Sequence, residues 1–168
     1  MRILSLNVRG LGGLAKQKSL RYLFSSLSPD IILLQETMNS SYPALLAFSK
    51  LCPSWEFCAI GSFGLSGRIF LGWNPHLVKC KAFHTLAGIL LKAQFRGSST
   101  TLSILNCYGP YHHCESFWNS VARGGLLTLP NLILAGDLNL TLNGSEIWGT
   151  KAIPDRLGPF FTKLFSNH

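Results

Sequence analysis

Acidic residues are scarce in this chain. It has 7 Asp and Glu against 15 Lys and Arg in 168 residues, a formal net charge of +8. That imbalance favours polyanionic partners, either nucleic acid or an acidic membrane surface. The basic residues are dispersed rather than gathered into a tail. Charge of any sign is also low, at 13%, where about 25% is usual. With 47% hydrophobic residues, intrinsic disorder is excluded as the main state. No apolar run approaches the roughly 18 residues of a membrane span. The opening Ile3-Leu4-Ser5-Leu6 is too short for a signal peptide. A soluble, intracellular chain is expected. There is no Cys-x-x-Cys pair, and Cys52, Cys58, Cys80, Cys107 and Cys114 are an odd count, so they read as reduced, mostly buried thiols. His112, His113 and Cys114 are consecutive, but a zinc site would need further ligands that the spacing does not offer. Linkers, repeats and low-complexity segments are also missing, and the length suits one domain, residues 1–168.

What is present is an ordered series of apolar runs. Ile3 to Val8 reads as a buried strand stopped by Gly10, Gly12 and Gly13. Leu20, Leu23, Phe24 and Leu27 have helical spacing, with Lys16, Lys18 and Arg21 on the other face. Ile31-Ile32-Leu33-Leu34 is a continuous apolar run, as expected of a strand covered on both faces. Strand, helix and strand within this opening stretch are the βαβ signature of an α/β fold. A short helix is expected over 43–51. Strands are expected over 55–60, 68–73, 78–83, 88–95 and 101–108, separated by Gly, Asn-Pro and Gly-Ser-Ser turns. Glu115 to Arg123 reads as a helix, Leu132 to Ala135 as another buried strand, and Leu157, Phe160, Phe161 and Leu164 as a last helical stripe with Pro159 in its first turn.

Two of the seven acids, Glu36 and Asp137, close apolar runs. A carboxylate there is costly unless it meets a cation or a hydrogen-bond donor. Asn7, Gln35, Tyr108 and Asn139 also stand at strand ends, where open α/β sheets bind ligands. One carboxylate plus amide oxygens suits Mg²⁺, which keeps several waters for substrate. A second carboxylate could orient or deprotonate a water attacking phosphorus. Tyr and Asn could donate to phosphate oxygens as charge builds.

The runs Ser5-Leu6-Asn7-Val8-Arg9-Gly10, Leu34-Gln35-Glu36-Thr37, Asn106-Cys107-Tyr108-Gly109-Pro110 and Gly136-Asp137-Leu138-Asn139 resemble, in order and spacing, motifs of the endonuclease/exonuclease/phosphatase superfamily. The likeness is strongest to the endonuclease domains of plant long-interspersed-element (LINE, non-LTR) retrotransposons, and Ser66-Gly67-Arg68 resembles their Ser-Gly-Gly strand start. The resemblance implies a DNase I-like four-layer α/β sandwich, two packed mixed sheets with outer helices. It implies Mg²⁺, with Mn²⁺ as a substitute, and DNA as partner, with a nuclear location if the substrate is genomic. It implies that Glu36 and Asn7 order the metal, that Asn7 and Tyr108 contact phosphate, that Asp137 activates the water, and that Asn139 positions it. The family's later Asp and Ser-Asp-His element have no counterpart before His168, so the chain is expected to be the N-terminal portion of the domain, incomplete at its C-terminus. Leu6 stands in place of the usual Trp, and Arg68 in place of a Gly. The competing reading is a catalytically dead retroelement remnant that at most binds nucleic acid weakly. Trp73, Trp118 and the Phe residues of the last helix read as core rather than as base-stacking platforms.

Overall fold

The computed structural model describes residues 1–11, 13–37, 46, 48–60, 69–148 and 155–168. The order is β1 (Ile3–Asn7), α1 (Leu14–Leu27), β2 (Ile31–Gln35), β3 (Glu56–Ile60), β4 (Ile69–Trp73), β5 (Val78–Thr85), β6 (Gly88–Phe95), β7 (Thr101–Tyr108), α2 (Cys114–Arg123), β8 (Leu132–Asp137) and α3 (Gly158–Ser166), with short 3₁₀ turns at Leu126–Thr128 and Gly144–Glu146. Residues 48–51 are helical, while most of the helix expected over 43–51 lies outside the described residues, as does Ser66-Gly67-Arg68.

The strands form two four-stranded mixed sheets, ordered β1-β2-β4-β3 and β5-β6-β7-β8. β1 pairs parallel with β2, and β7 parallel with β8; the other pairings are antiparallel. Alternation along each strand sends one set of side chains inward between the sheets and the other outward to helices. Ile31, Leu33, Leu71 and Trp73 of the first sheet meet Ile89, Leu91, Ala93 and Ile104 of the second in the central core. Ile32, Leu34 and Phe70 point the other way, onto Leu20 and Phe24 of α1 and onto Phe48. Leu90, Leu105 and Cys107 are covered by Trp118 and Val121 of α2 and Phe161 and Leu164 of α3. The result is helix, sheet, sheet, helix. Trp118 is wholly buried, with Phe161 and Phe165 edge-on to it; full burial of each such apolar side chain contributes roughly 1.5–3 kcal/mol.

One expectation needs correcting. β1 and β8 were expected to be buried, like β2, because all three are apolar runs. Every residue of β2 is buried, whereas β8 is half-buried throughout and β1 is half-buried apart from its exposed Ser5. The reason is lateral: among the described residues β1 pairs only with β2, and β8 only with β7. Apolar composition reports what a strand's faces meet, not whether it has neighbours on both sides. The cysteines also differ from expectation, since Cys52 and Cys107 are buried but Cys58, Cys80 and Cys114 are half-buried; all five are free.

Candidate functional site: two hydrogen-bonded pairs across the sheet seam

Four strands deliver polar side chains to one end of the sandwich. β1 and β2 run in parallel, so Asn7 and Gln35 are register partners at their carboxyl ends; Tyr108 and Asp137 hold the equivalent places on β7 and β8. β1 and β2 of one sheet lie against β8 of the other, which brings the four ends to a common seam. Asn7 Nδ2 donates to Asp137 Oδ2 at 2.6 Å. The Tyr108 hydroxyl donates to Glu36 Oε1 at 3.0 Å. Each bond crosses from one sheet to the other.

A third bridge lies beneath them. Gln35 Nε2 donates to Asn106 Oδ1 at 2.7 Å, and Asn106 Nδ2 donates to the Phe70 carbonyl at 3.0 Å. Both amides are almost completely buried, at 1% and 0% exposure. Unsatisfied, either would cost about 1–3 kcal/mol; paired, they tie β2, β7 and β4 together directly below Glu36 and Tyr108. Gln35, which the sequence groups with the strand-end polar residues, lies behind the site. Asn106 was not singled out, although a polar residue two places before Tyr108 in an apolar strand was a usable signal.

The backbone around the site is tightly determined. Arg9, Glu36 and Asn139 all have positive φ, at 44°, 52° and 49°, a conformation that L side chains other than Asn and Asp seldom adopt. Each follows the end of its strand and turns the chain sharply. Asp137 is held at both oxygens: Oδ1 accepts from the Asn139 backbone N–H at 3.2 Å while Oδ2 takes Asn7. The Asn139 side chain donates to the Gly109 carbonyl at 2.6 Å, and the Gly109 N–H donates to the Asp137 carbonyl at 2.8 Å. Gly136 has φ +125°, and a Cβ there would run into the Cys107 backbone; only glycine lets β8 approach β7 this closely. The Asn7 side-chain oxygen accepts from the Arg9 N–H at 3.0 Å. Lys16 reaches back from α1 to the Val8 and Arg9 carbonyls at 2.6 and 3.2 Å. That places a cation beside the end of β1, a role its position on the helix face did not reveal.

Burial pushes the Tyr108 phenol above its ordinary ionisation range, and hydrogen bonds with Tyr111 and Glu36 add to the shift. Tyr108 is therefore a neutral donor, and it orients one oxygen of Glu36. The second oxygen, Oε2, has no hydrogen-bond partner among the described residues. Glu36 follows Gln35, the register partner of Asn7, and a carboxylate and an amide oxygen on neighbouring strand ends are the donor types that suit a hard divalent cation retaining its waters. No group of three or more His, Cys, Asp or Glu able to hold a metal occurs among the described residues.

Helix, sheet, sheet, helix is the layering that the resemblance implied, and a family model describes the same span: the endonuclease/exonuclease/phosphatase family matches residues 4–167. The chain belongs to that family. A search of curated protein sequences finds no match. Among solved structures, the fold is similar to an AP endonuclease from Archaeoglobus fulgidus, at 15% identity and TM-score 0.73 over 99% of this chain and 70% of that one. It is similar to the endonuclease domain of TRAS1, a telomere-specific non-LTR retrotransposon, at 18% identity and TM-score 0.70 over 99% and 71%. It is also similar to D. rerio TDP2 complexed with a single-strand DNA product, at 20% identity and TM-score 0.61 over 84% and 61%. The chain thus spans between three-fifths and three-quarters of the length of these relatives. At such identities the likeness establishes the DNase I-like fold. Among the described residues no helix is long and apolar enough to cross a membrane.

Proposed function

We propose that this member of the family is a divalent-metal-dependent phosphodiester hydrolase acting on DNA, an endonuclease domain of retrotransposon origin and of the plant LINE type. The observation that carries the reading is the pair of cross-sheet hydrogen bonds, Asn7 to Asp137 and Tyr108 to Glu36. They bring Asn7, Glu36, Tyr108 and Asp137 together at one strand-end seam, and Asn139 is bonded to the same turn. The net charge of +8 favours a polyanionic substrate over a small phosphorylated sugar or lipid. If the substrate is genomic DNA, the chain works in the nucleus.

In this reading Glu36 and Asn7 would hold Mg²⁺, or Mn²⁺ in its place. The ion, when bound, would supply charge neutralisation at the phosphate. The remaining work belongs to the chain. Asp137, fixed at both oxygens, accepts a proton from the attacking water. Tyr108 stays protonated, and its hydroxyl, turned from Glu36 to the phosphate, would donate to the developing negative charge. Asn139 sets the turn that aims Asp137 and lies where it can position the water. A second reading, nucleic-acid binding without turnover, is favoured by one observation: the described residues bring no third acid or histidine to the seam as a metal ligand.

A plasmid-nicking assay in Mg²⁺, with EDTA and Mn²⁺ arms, decides between the two. Nicking that disappears in Asp137→Ala and in EDTA supports hydrolysis. A chain that binds plasmid but leaves it supercoiled in every arm supports the second reading.

A further inference from the structure

Two exposed aromatic side chains stand on the loops that leave the site. Tyr111 follows β7 and is 67% exposed; Trp148 follows β8 and is 100% exposed. β7 and β8 are parallel neighbours with Tyr108 beside Asp137, so both loops depart from the same end of the sandwich. Tyr111 also walls a cavity of about 880 Å³ together with Asp137, Asn139 and Glu146; Glu146 precedes Trp148 by two residues. The Tyr111 phenol lies close enough to that of Tyr108 to affect its ionisation.

A single exposed aromatic needs no explanation. Two on adjacent loops at the ligand-binding ends of parallel strands do. Of the other three tryptophans, Trp73 and Trp118 are buried in the cores, at 6% and 0% exposure, and Trp55 is half-buried. Charge bears on the occupant. The cavity wall carries the acids Asp137, Glu146 and Asp155, whereas Arg9 is exposed two residues after Asn7 and Lys16 lies against the same strand end, so an anionic backbone is favoured on the Arg9 side, drawn by the net charge of +8. A planar ring attached to that backbone would find a π face on each loop. Paired bases keep their faces against one another, whereas unpaired bases offer theirs to a protein.

We propose that Tyr111 and Trp148 form a base-stacking rim that holds unpaired nucleobases of single-stranded DNA beside the phosphodiester at Asp137. This rests on the phosphodiesterase reading and gives it a substrate form. The test compares binding of an oligothymidylate with that of an abasic oligomer of equal length and charge, in EDTA and followed by fluorescence anisotropy; phosphatidylserine vesicles form a third arm. The expected result is oligothymidylate binding about tenfold tighter than the abasic oligomer. That preference should fall to near parity in Tyr111→Leu/Trp148→Leu with abasic binding unchanged, and survive in Tyr111→Phe, which keeps the ring. Both positions are exposed, so the melting temperature should not move. Equal binding of the two oligomers by the unmodified chain, or a preference that persists in the double variant, overturns the rim and leaves the phosphodiesterase reading standing. Binding of neither oligomer, or of vesicles alone, overturns the nucleic-acid substrate as well.

Discussion

The Glu36–Tyr108 and Asn7–Asp137 pairs cross the same seam, but on different foundations. Glu36 and Tyr108 leave β2, buried at every position, and β7, buried through its middle, with the Gln35–Asn106 bridge directly below. Asn7 and Asp137 leave β1 and β8, which are half-buried and paired on one side only among the described residues. The first pair inherits its geometry from packing. The second depends on local backbone: the Gly136 conformation, the Asn139 turn and the hydrogen bonds that fix both oxygens of Asp137. The side chain assigned the most demanding chemistry thus stands on the less buried pair of strands, held by turns rather than by core.

That contrast can be broken, and the largest effect comes from removing the carboxylate itself. Asp137→Ala should reduce Mg²⁺-dependent nicking by about 10²–10⁴-fold, the usual contribution of a positioned general base, and should also lower stability by about 1–3 kcal/mol, because the carboxylate accepts from both Asn7 and Asn139. Gly136→Ala attacks the foundation instead. The added Cβ meets the Cys107 backbone at a positive φ, so we expect a loss of about 3 kcal/mol in denaturant unfolding. Were Gly136→Ala harmless, β8 would not be held as described.

The buried bridge is the corresponding test on the other pair. Gln35→Leu or Asn106→Leu alone strands a buried amide and should cost about 1–3 kcal/mol. The double variant should cost less than the sum, because the shared bond is lost only once. Additive losses would mean that the two amides do not depend on each other.

The smallest effect is expected from Tyr108→Phe, about 0.5–1.5 kcal/mol for one half-buried hydrogen bond. Its pH dependence sharpens the comparison. The Tyr108 phenol ionises above its ordinary range in the folded chain, so the folded state keeps a proton that the unfolded state releases near pH 10. The contribution is full below that pH and is lost as pH rises further. Stability of the unmodified chain should therefore decline above about pH 10, and Tyr108→Phe should flatten that decline. An unchanged alkaline limb would place the titration elsewhere.

Much of this was legible in the sequence, for identifiable reasons. Ile31–Leu34 announces a strand covered on both faces because covering both faces requires apolar residues at every position. Glu36 and Asp137 stand out because so few acids are present and these two end apolar runs. The exposure of β1 and β8 was not legible, since it depends on lateral neighbours that leave no mark on local composition. Nor was the Gln35–Asn106 bridge, whose partners are 71 residues apart; a single sequence does not report which buried amides meet. Tyr111 and Trp148 escaped notice because an aromatic residue looks the same in sequence whether it is buried or exposed.

Arg9, Glu36 and Asn139 turn the chain through left-handed conformations, and for the first two this runs against what an arginine or a glutamate prefers. Selection for folding alone would favour glycine at positions 9 and 36, since glycine enters that conformation freely. A lineage in which the site had ceased to matter would drift towards glycine there while keeping Ile31–Leu34 intact. Retention of Glu36 in close relatives would then be a record of use, readable in their genomes without assaying any of the proteins.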